Sequence, residues 1–186
     1  MLHKWSRFVA LAALLVGLYG GVALANQDED TDETRARTLS RCVGGPVKRV
    51  YGVSENAATT QVESPDNADT FNVLPGASVP FAGPVSASDT IVVTFSGECR
   101  LLNASSNDWV EIEVLLDGVP IPPTGGPSPM AFCSDGNWSM HSVTVCRPVG
   151  PGNHVVSVRW KLVDSTPAAA LQGWLDDWTL MVTVHD

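Results

Sequence analysis

The residues of this chain whose types and spacing could do chemistry are aromatic and acidic rather than nucleophilic. Trp138 follows the turn Cys133-Ser134-Asp135-Gly136-Asn137, and Trp174 stands just before Asp176 and Asp177. An indole beside short polar side chains is the composition of a sugar site, where the ring stacks on a pyranose face and carboxylates accept from hydroxyls. Asp135, Trp138, Trp174 and Asp176 are therefore the candidate ligand-binding residues. The competing reading places both indoles at the edge of a core, because tryptophan is usually mostly buried, and it carries the greater weight. Trp160 and Trp178 fall in apolar rows and are expected inside.

Paired carboxylates suit glycoside hydrolysis when two face each other across a scissile bond. Glu111 and Glu113, two apart on a strand, share one face at about 6.5 to 7 Å between Cα atoms and meet that requirement. A charged outer face meets it equally, and both glutamates are read as solvent-face charges. Asp176 and Asp177 point to opposite faces of a regular strand and do not form a matched pair. No Gly-x-Ser-x-Gly elbow or Ser-x-x-Lys motif is present. His141, His154 and His185 lack the spacing of a ligand pair and are read as structural or surface histidines. No catalytic residue, cofactor or metal is expected. The tripeptides Asn103-Ala104-Ser105 and Asn137-Trp138-Ser139 match the N-glycosylation pattern, which matters only in a eukaryotic source.

Strands must position these residues. From Val47 onward apolar residues alternate between Pro, Gly, Asn and Asp punctuation, and no helical period is sustained over three turns. Val47–Val53, Phe71–Leu74 and Ala77–Phe81 are short expected strands, limited by Pro65, Pro75, Pro80 and Pro84. Thr90–Cys99 turns Ile91, Val93 and Phe95 one way, and Thr94 and Ser96 the other. Trp109–Leu116 follows, with Val110, Ile112, Val114 and Leu116 inward, and ends at the turn Asp117-Gly118. Val119–Pro129 is a stiff proline-rich loop. Asn137–Arg147 and His154–Val163, joined by a Pro/Gly turn, are expected as an antiparallel hairpin. The last strand, Trp174–Val184, has the length of a central one, and Ser165–Leu171 could form one helical turn. The fold class is all-β: an antiparallel β-sandwich of jelly-roll or immunoglobulin-like type.

The first 25 residues join a basic start to an apolar run and end in Ala23-Leu24-Ala25, the pattern of a cleavable signal peptide. The run is too short and too interrupted by glycine to span a bilayer, so the mature protein is expected to be secreted or periplasmic. A flexible acidic leader occupies 26–41, with five carboxylates from Asp28 to Glu33 but no EF-hand glycine or closing glutamate. A single domain is expected over 42–186. Loss of Lys4 and Arg7 with the signal leaves nine basic against 20 acidic residues, a formal charge of −11. That repels nucleic acid and anionic lipid, and its commonest meaning is solubility.

Export makes the four cysteines a disulfide framework with three possible pairings. Cys99 ends a strand and Cys133 lies on the return from the proline loop, so their pairing ranks first and leaves Cys42 with Cys146. Zinc cysteines come in closer pairs than these, so the metal reading is weak.

The segments Thr94-Phe-Ser-Gly-Glu-Cys99, Ala131-Phe-Cys-Ser134, Gly152-Asn-His-Val-Val-Ser-Val158 and Trp174-Leu-Asp-Asp-Trp178, with Asp117-Gly118, resemble those of exported bacterial β-sandwich proteins without an assigned activity. The resemblance covers about Pro80 to the C-terminus. It implies Cys99 paired with Cys133, and no functional residue. The leading expectation is a non-catalytic module that binds a glycan or an extracellular protein. The second is a structural module that self-associates into a homo-oligomer through an apolar outer row including Val155 or Met181, as C1q-like jelly rolls do. The third is a hydrolase using Glu111 and Glu113.

Overall fold

The computed structural model describes residues 42–62, 70–124, 130–165 and 170–186. The expected signal peptide and acidic leader, residues 125–129 of the proline loop and residues 166–169 of the expected helical turn lie outside them. Ten strands follow in order: β1 (Val47–Glu55), β2 (Thr59–Val62), β3 (Asn72–Ala82), β4 (Asp89–Leu102), β5 (Trp109–Leu116), β6 (Val119–Pro120), β7 (Ala131–Cys133), β8 (Ser139–Val149), β9 (Asn153–Val163) and β10 (Gln172–His185).

They form two antiparallel sheets packed as a sandwich. One has the order β1-β10-β4-β8, with β2 continuing β1 along β10; the other has the order β3-β9-β5-β6, with β7 also on β5. If β1 with β2 and β6 with β7 each count as one interrupted strand, the chain changes sheet at every connection except the β5–β6 turn. The first strand then lies beside the last. Of the two expected types, this connectivity is jelly-roll-like.

The core lies between facing rows with period two. Ile91, Val93, Phe95, Cys99 and Leu101 of β4 and Leu175, Trp178, Leu180, Val182 and Val184 of β10 face Val110, Ile112 and Val114 of β5 and Val156, Val158, Trp160 and Leu162 of β9; all are buried. Each such side chain stabilises by about 1.5–3 kcal/mol relative to exposure. Strand β10 is central, as its length suggested.

Two expectations about strands are corrected. The expected hairpin does not form: β8 pairs with β4 in one sheet and β9 with β3 and β5 in the other. Its Pro/Gly turn carries the chain across the sandwich, from the β8 edge of one sheet, which lies over β7, to β9 inside the other; the row Val143, Val145 and Val149 of β8 is buried. The two short strands about Pro75 are one edge strand, β3. Its register slips between Val73 and Ser78, and Gly76 takes φ 76° at the slip.

Both disulfides follow the ranked pairing, Cys99–Cys133 and Cys42–Cys146. The turn Asp117-Gly118 has positive φ at both residues, 52° and 80°, as a two-residue hairpin between strands of right-handed twist requires. One irregularity matters most for function. In β10 the register against β4 slips between Asp176 and Thr179, with Asp177 at φ 42°. This bulge places one extra residue on β10 and reverses which face its following residues take.

Candidate functional site

The bulge decides where Trp174 points. Strict alternation from Trp178, which is 1% exposed in the core, would turn Asp176 and Trp174 inward as well. The extra residue instead buries Leu175 and Gly173 and leaves Trp174 and Asp176 half-buried on the outer face of the β1-β10-β4-β8 sheet. Gly97 of β4 lies beside this bulge. A Cβ there would stand 2.8 Å from Cβ of Trp178, so only glycine admits the close approach.

Trp138, immediately before β8, arrives on the same face. The loop before it docks on the end of β4, where the Leu101 N–H donates to the Asp135 carbonyl at 2.7 Å. Trp138 is 40% exposed and its ring centroid lies 6.4 Å from that of Trp174, with the planes 75° apart. Between them stands Arg100, directly opposite Trp174 in the β4–β10 ladder. Its guanidinium carbon lies 4.7 Å from the Trp138 centroid and 5.1 Å from that of Trp174, within cation–π range of both.

The four candidate residues are therefore partly gathered. Trp138 and Trp174 meet across Arg100; Asp176 lies one row away, opposite Glu98, and its Oδ1 accepts the Asp177 N–H at 2.9 Å. Asp135 touches this group through its loop, its Oδ2 accepting from the Ser139 hydroxyl at 3.4 Å. Like charges directly opposite each other, as in Glu98 and Asp176, weaken a ladder unless something else occupies them. The expectation that Trp138 and Trp174 close a core edge is corrected: both stand on the outer face, turned there by the bulge and the docked loop.

Arg100 was not singled out from the sequence. Its orientation was legible, since Thr94 and Ser96 face outward and Arg100 keeps their parity. Its position between two indoles depends on cross-strand register, which a single strand does not carry.

The carboxylate pair on β5 behaves otherwise than expected. Glu111 and Glu113 are 5% and 8% exposed, not solvent-face charges. Lys161 meets Glu111 at 3.1 Å and Arg159 meets Glu113, each from the facing position on β9. Phe71 lies over both cations, at 4.5 and 4.9 Å. Each glutamate thus faces a cation under an aromatic lid, not its twin across a cleft.

Ser139 and His141 share a 2.7 Å hydrogen bond through Nε2, but the nearby carboxylate of Asp135 addresses the serine rather than the other ring nitrogen. The orienting acid of a nucleophile–base pair is therefore not in place. His185 is held by the Gly45 carbonyl and Thr183, and His154 by Asp117 and Gly150. Among the described residues no group of three or more His, Cys, Asp and Glu could hold a metal ion, and no helix is long and apolar enough to cross a membrane. Met181 and Val155, either of which the self-association reading placed in an apolar outer row, are both exposed, on strands of different sheets.

No protein-family model matches the chain, and no curated protein is significantly similar to it. Among solved structures, infectious bursal disease virus, Gx strain, is similar with a TM-score of 0.50 at 12% identity, over 74% of this chain and 32% of that one. This chain thus spans about a third of that protein. The EclA C-terminal domain, a sugar-binding protein, gives a TM-score of 0.39 at 10% identity over 68% of this chain and 78% of that one. A family 35 carbohydrate binding module from Clostridium thermocellum gives 0.31 at 15% identity, over 70% and 96%. At 12% identity the first likeness is one of fold, and the other two are weaker still.

Proposed function

We propose that this protein is an exported, non-catalytic glycan-binding module whose site is the row Trp138–Arg100–Trp174, with Asp176 and Asp135 at its margin. One observation carries the reading: two indoles stand on the solvent side of a sheet, brought within 6.4 Å by a bulge and a docked loop. Exposed tryptophan offers a flat apolar face with little conformational entropy to lose, which suits stacking on the C–H face of a sugar ring. The 75° angle between the rings lets only one lie flat on a given sugar, so the footprint is one or two sugars rather than a crystalline surface. Export through the signal peptide at 1–25 belongs to the same reading, as does a single domain over 42–186.

The test is binding of the oxidised mature protein to a polysaccharide panel, followed by tryptophan fluorescence, with Trp138→Ala and Trp174→Ala as controls. Saturable binding, weakened at least tenfold in either variant without change in far-ultraviolet circular dichroism, is the expected result. Binding unaffected by both substitutions would move the site elsewhere, and no binding across the panel would end the glycan reading.

A further inference from the structure

The guanidinium of Arg100 is held but not used. It lies between two indoles, yet no hydrogen bond or ion pair from it reaches any of the described residues, although Glu98 and Asp176 lie in the adjacent row of the same face. Its Nε is shut from solvent without a partner, as is Nε1 of Trp174. What the half-buried side chain turns outward is therefore its Nη edge. By contrast Lys48, Arg159 and Lys161 each pair with an acid, and Arg49 donates to the Gly83 carbonyl.

Stacking and hydrogen bonding use different parts of a guanidinium: its faces meet rings, and its edge meets oxyanions. Indoles that flank the guanidinium at 4.7 and 5.1 Å restrict its side chain, so little rotamer freedom remains to be lost on binding. A planar fork of N–H donors so fixed matches the two oxygens of a carboxylate, or two of a sulfate, with charge-assisted hydrogen bonds.

We infer that the ligand is an acidic glycan, in which one sugar stacks on Trp138 while a carboxylate or sulfate on it, or on its neighbour, takes the Nη edge of Arg100. This rests on the glycan reading and narrows it. The surroundings narrow it further. Glu98, Asp176, Asp177 and Asp135 all lie near Arg100 on this end of the sheet, so a polymer with a charge on every sugar meets repulsion on either side of one attraction. The favoured ligand carries isolated acidic sugars among neutral ones, whose hydroxyls the carboxylates can accept from.

The experiment uses oxidised mature protein and an oligosaccharide panel in matched pairs: uronic-acid members with their carboxyl-reduced forms, and sulfated members with their desulfated forms, each at sparse and dense charge. The expected result is binding to sparse acidic members, weakened about tenfold or more by reduction or desulfation, by Arg100→Gln, and by raised salt. The carboxylate and sulfate arms identify the source of the oxyanion. Arg100→Gln lies on the outer face, and its thermal midpoint checks that it folds. Equal binding of neutral partners, or binding unchanged in Arg100→Gln, would overturn the acidic-glycan inference and leave the glycan reading standing. No binding of any member, acidic or neutral, would overturn both.

Discussion

Single side chains in this sandwich join its parts, and His154 is the best case. Its Nδ1 meets Oδ2 of Asp117 at 2.7 Å and its Nε2 meets the Gly150 carbonyl at 3.1 Å. Both partners are acceptors, and only the imidazolium has a proton on each nitrogen. The hydrogen bond with Asp117 raises the His154 pKa above 6.5 against the opposing effect of burial, and the Gly150 carbonyl adds to the rise. The same bond lowers the Asp117 pKa below 3.8, outweighing its desolvation, helped by the Val155 N–H. A raised histidine stabilises fully below its unfolded pKa and less as pH rises through its folded one; a lowered aspartate stabilises above its unfolded pKa. The pair is therefore fully effective between about pH 3.8 and 6.5. Asn tolerates the positive φ at 117, so Asp117→Asn removes the charge without breaking the turn. The melting-temperature gap between wild type and Asp117→Asn should be widest near pH 5 and narrow steadily toward pH 9. A constant gap over that range would mean that the imidazole is neutral in the fold.

At the scale of elements, the bulge in β10 links stability to the candidate site through Gly97. A methyl at 97 meets Cβ of Trp178 at 2.8 Å and the Asp176 carbonyl at 3.4 Å, and neither is the loose end of a side chain. Gly97→Ala should cost about 1–3 kcal/mol in urea unfolding, as overpacking of a well-filled core does. Ser96→Ala, on the outer face of the same strand, should change stability by no more than about 0.5 kcal/mol. If Gly97→Ala matched it, the bulge would not be a tight fit. This element also marks where sequence reading stops. The rows of β4, β5 and β9 were legible because alternation needs only one strand, and the disulfide pairing because cysteine positions could be set against strand ends. Asp176-Asp177 carries no glycine or proline to announce a bulge, and parity counted back from Trp178 would put Trp174 on the same face, whereas the fold separates them. The turn from Pro148 to Asn153 fits a hairpin and a cross-sandwich arch equally well, and only the pairing of β8 with β4 and of β9 with β3 and β5 decides between them. Likewise, the parity of Arg100 could be read from β4, but its two indole neighbours lie 38 and 74 residues further along the chain.

For the whole molecule, the two disulfides hold different things. Cys42–Cys146 closes 104 residues and Cys99–Cys133 closes 34, worth about 5 and about 4 kcal/mol in the chain-entropy model. The first ties down a segment that crosses one end of the β1-β10-β4-β8 sheet: Cys42 is bonded to β8, the Val43 carbonyl accepts from Thr90 of β4, and the Gly45 N–H donates to the Asp186 carbonyl just past β10. Cys146 pairs with Val92, eight residues along β4 from Arg100, or about 27 Å at the rise of a strand. The second crosses the core between the sheets and sits at the candidate site, since Cys99 adjoins Arg100 and Cys133 begins the loop that delivers Trp138. Access to a thiolate governs the order in which they open. Cys42 is exposed, whereas Cys99 and Cys133 are 0% and 3% exposed. Under graded dithiothreitol, with trapped thiols located by mass spectrometry, Cys42 and Cys146 should be alkylated first. At that stage the native tryptophan emission, and any ligand binding that depends on Trp138, Arg100 and Trp174, should persist, because only the opposite end of the sheet has been released. Both should be lost only as Cys99 and Cys133 become reactive. Loss of binding at the first stage would mean instead that the crossing segment, rather than the core disulfide, holds Trp138, Arg100 and Trp174 in line.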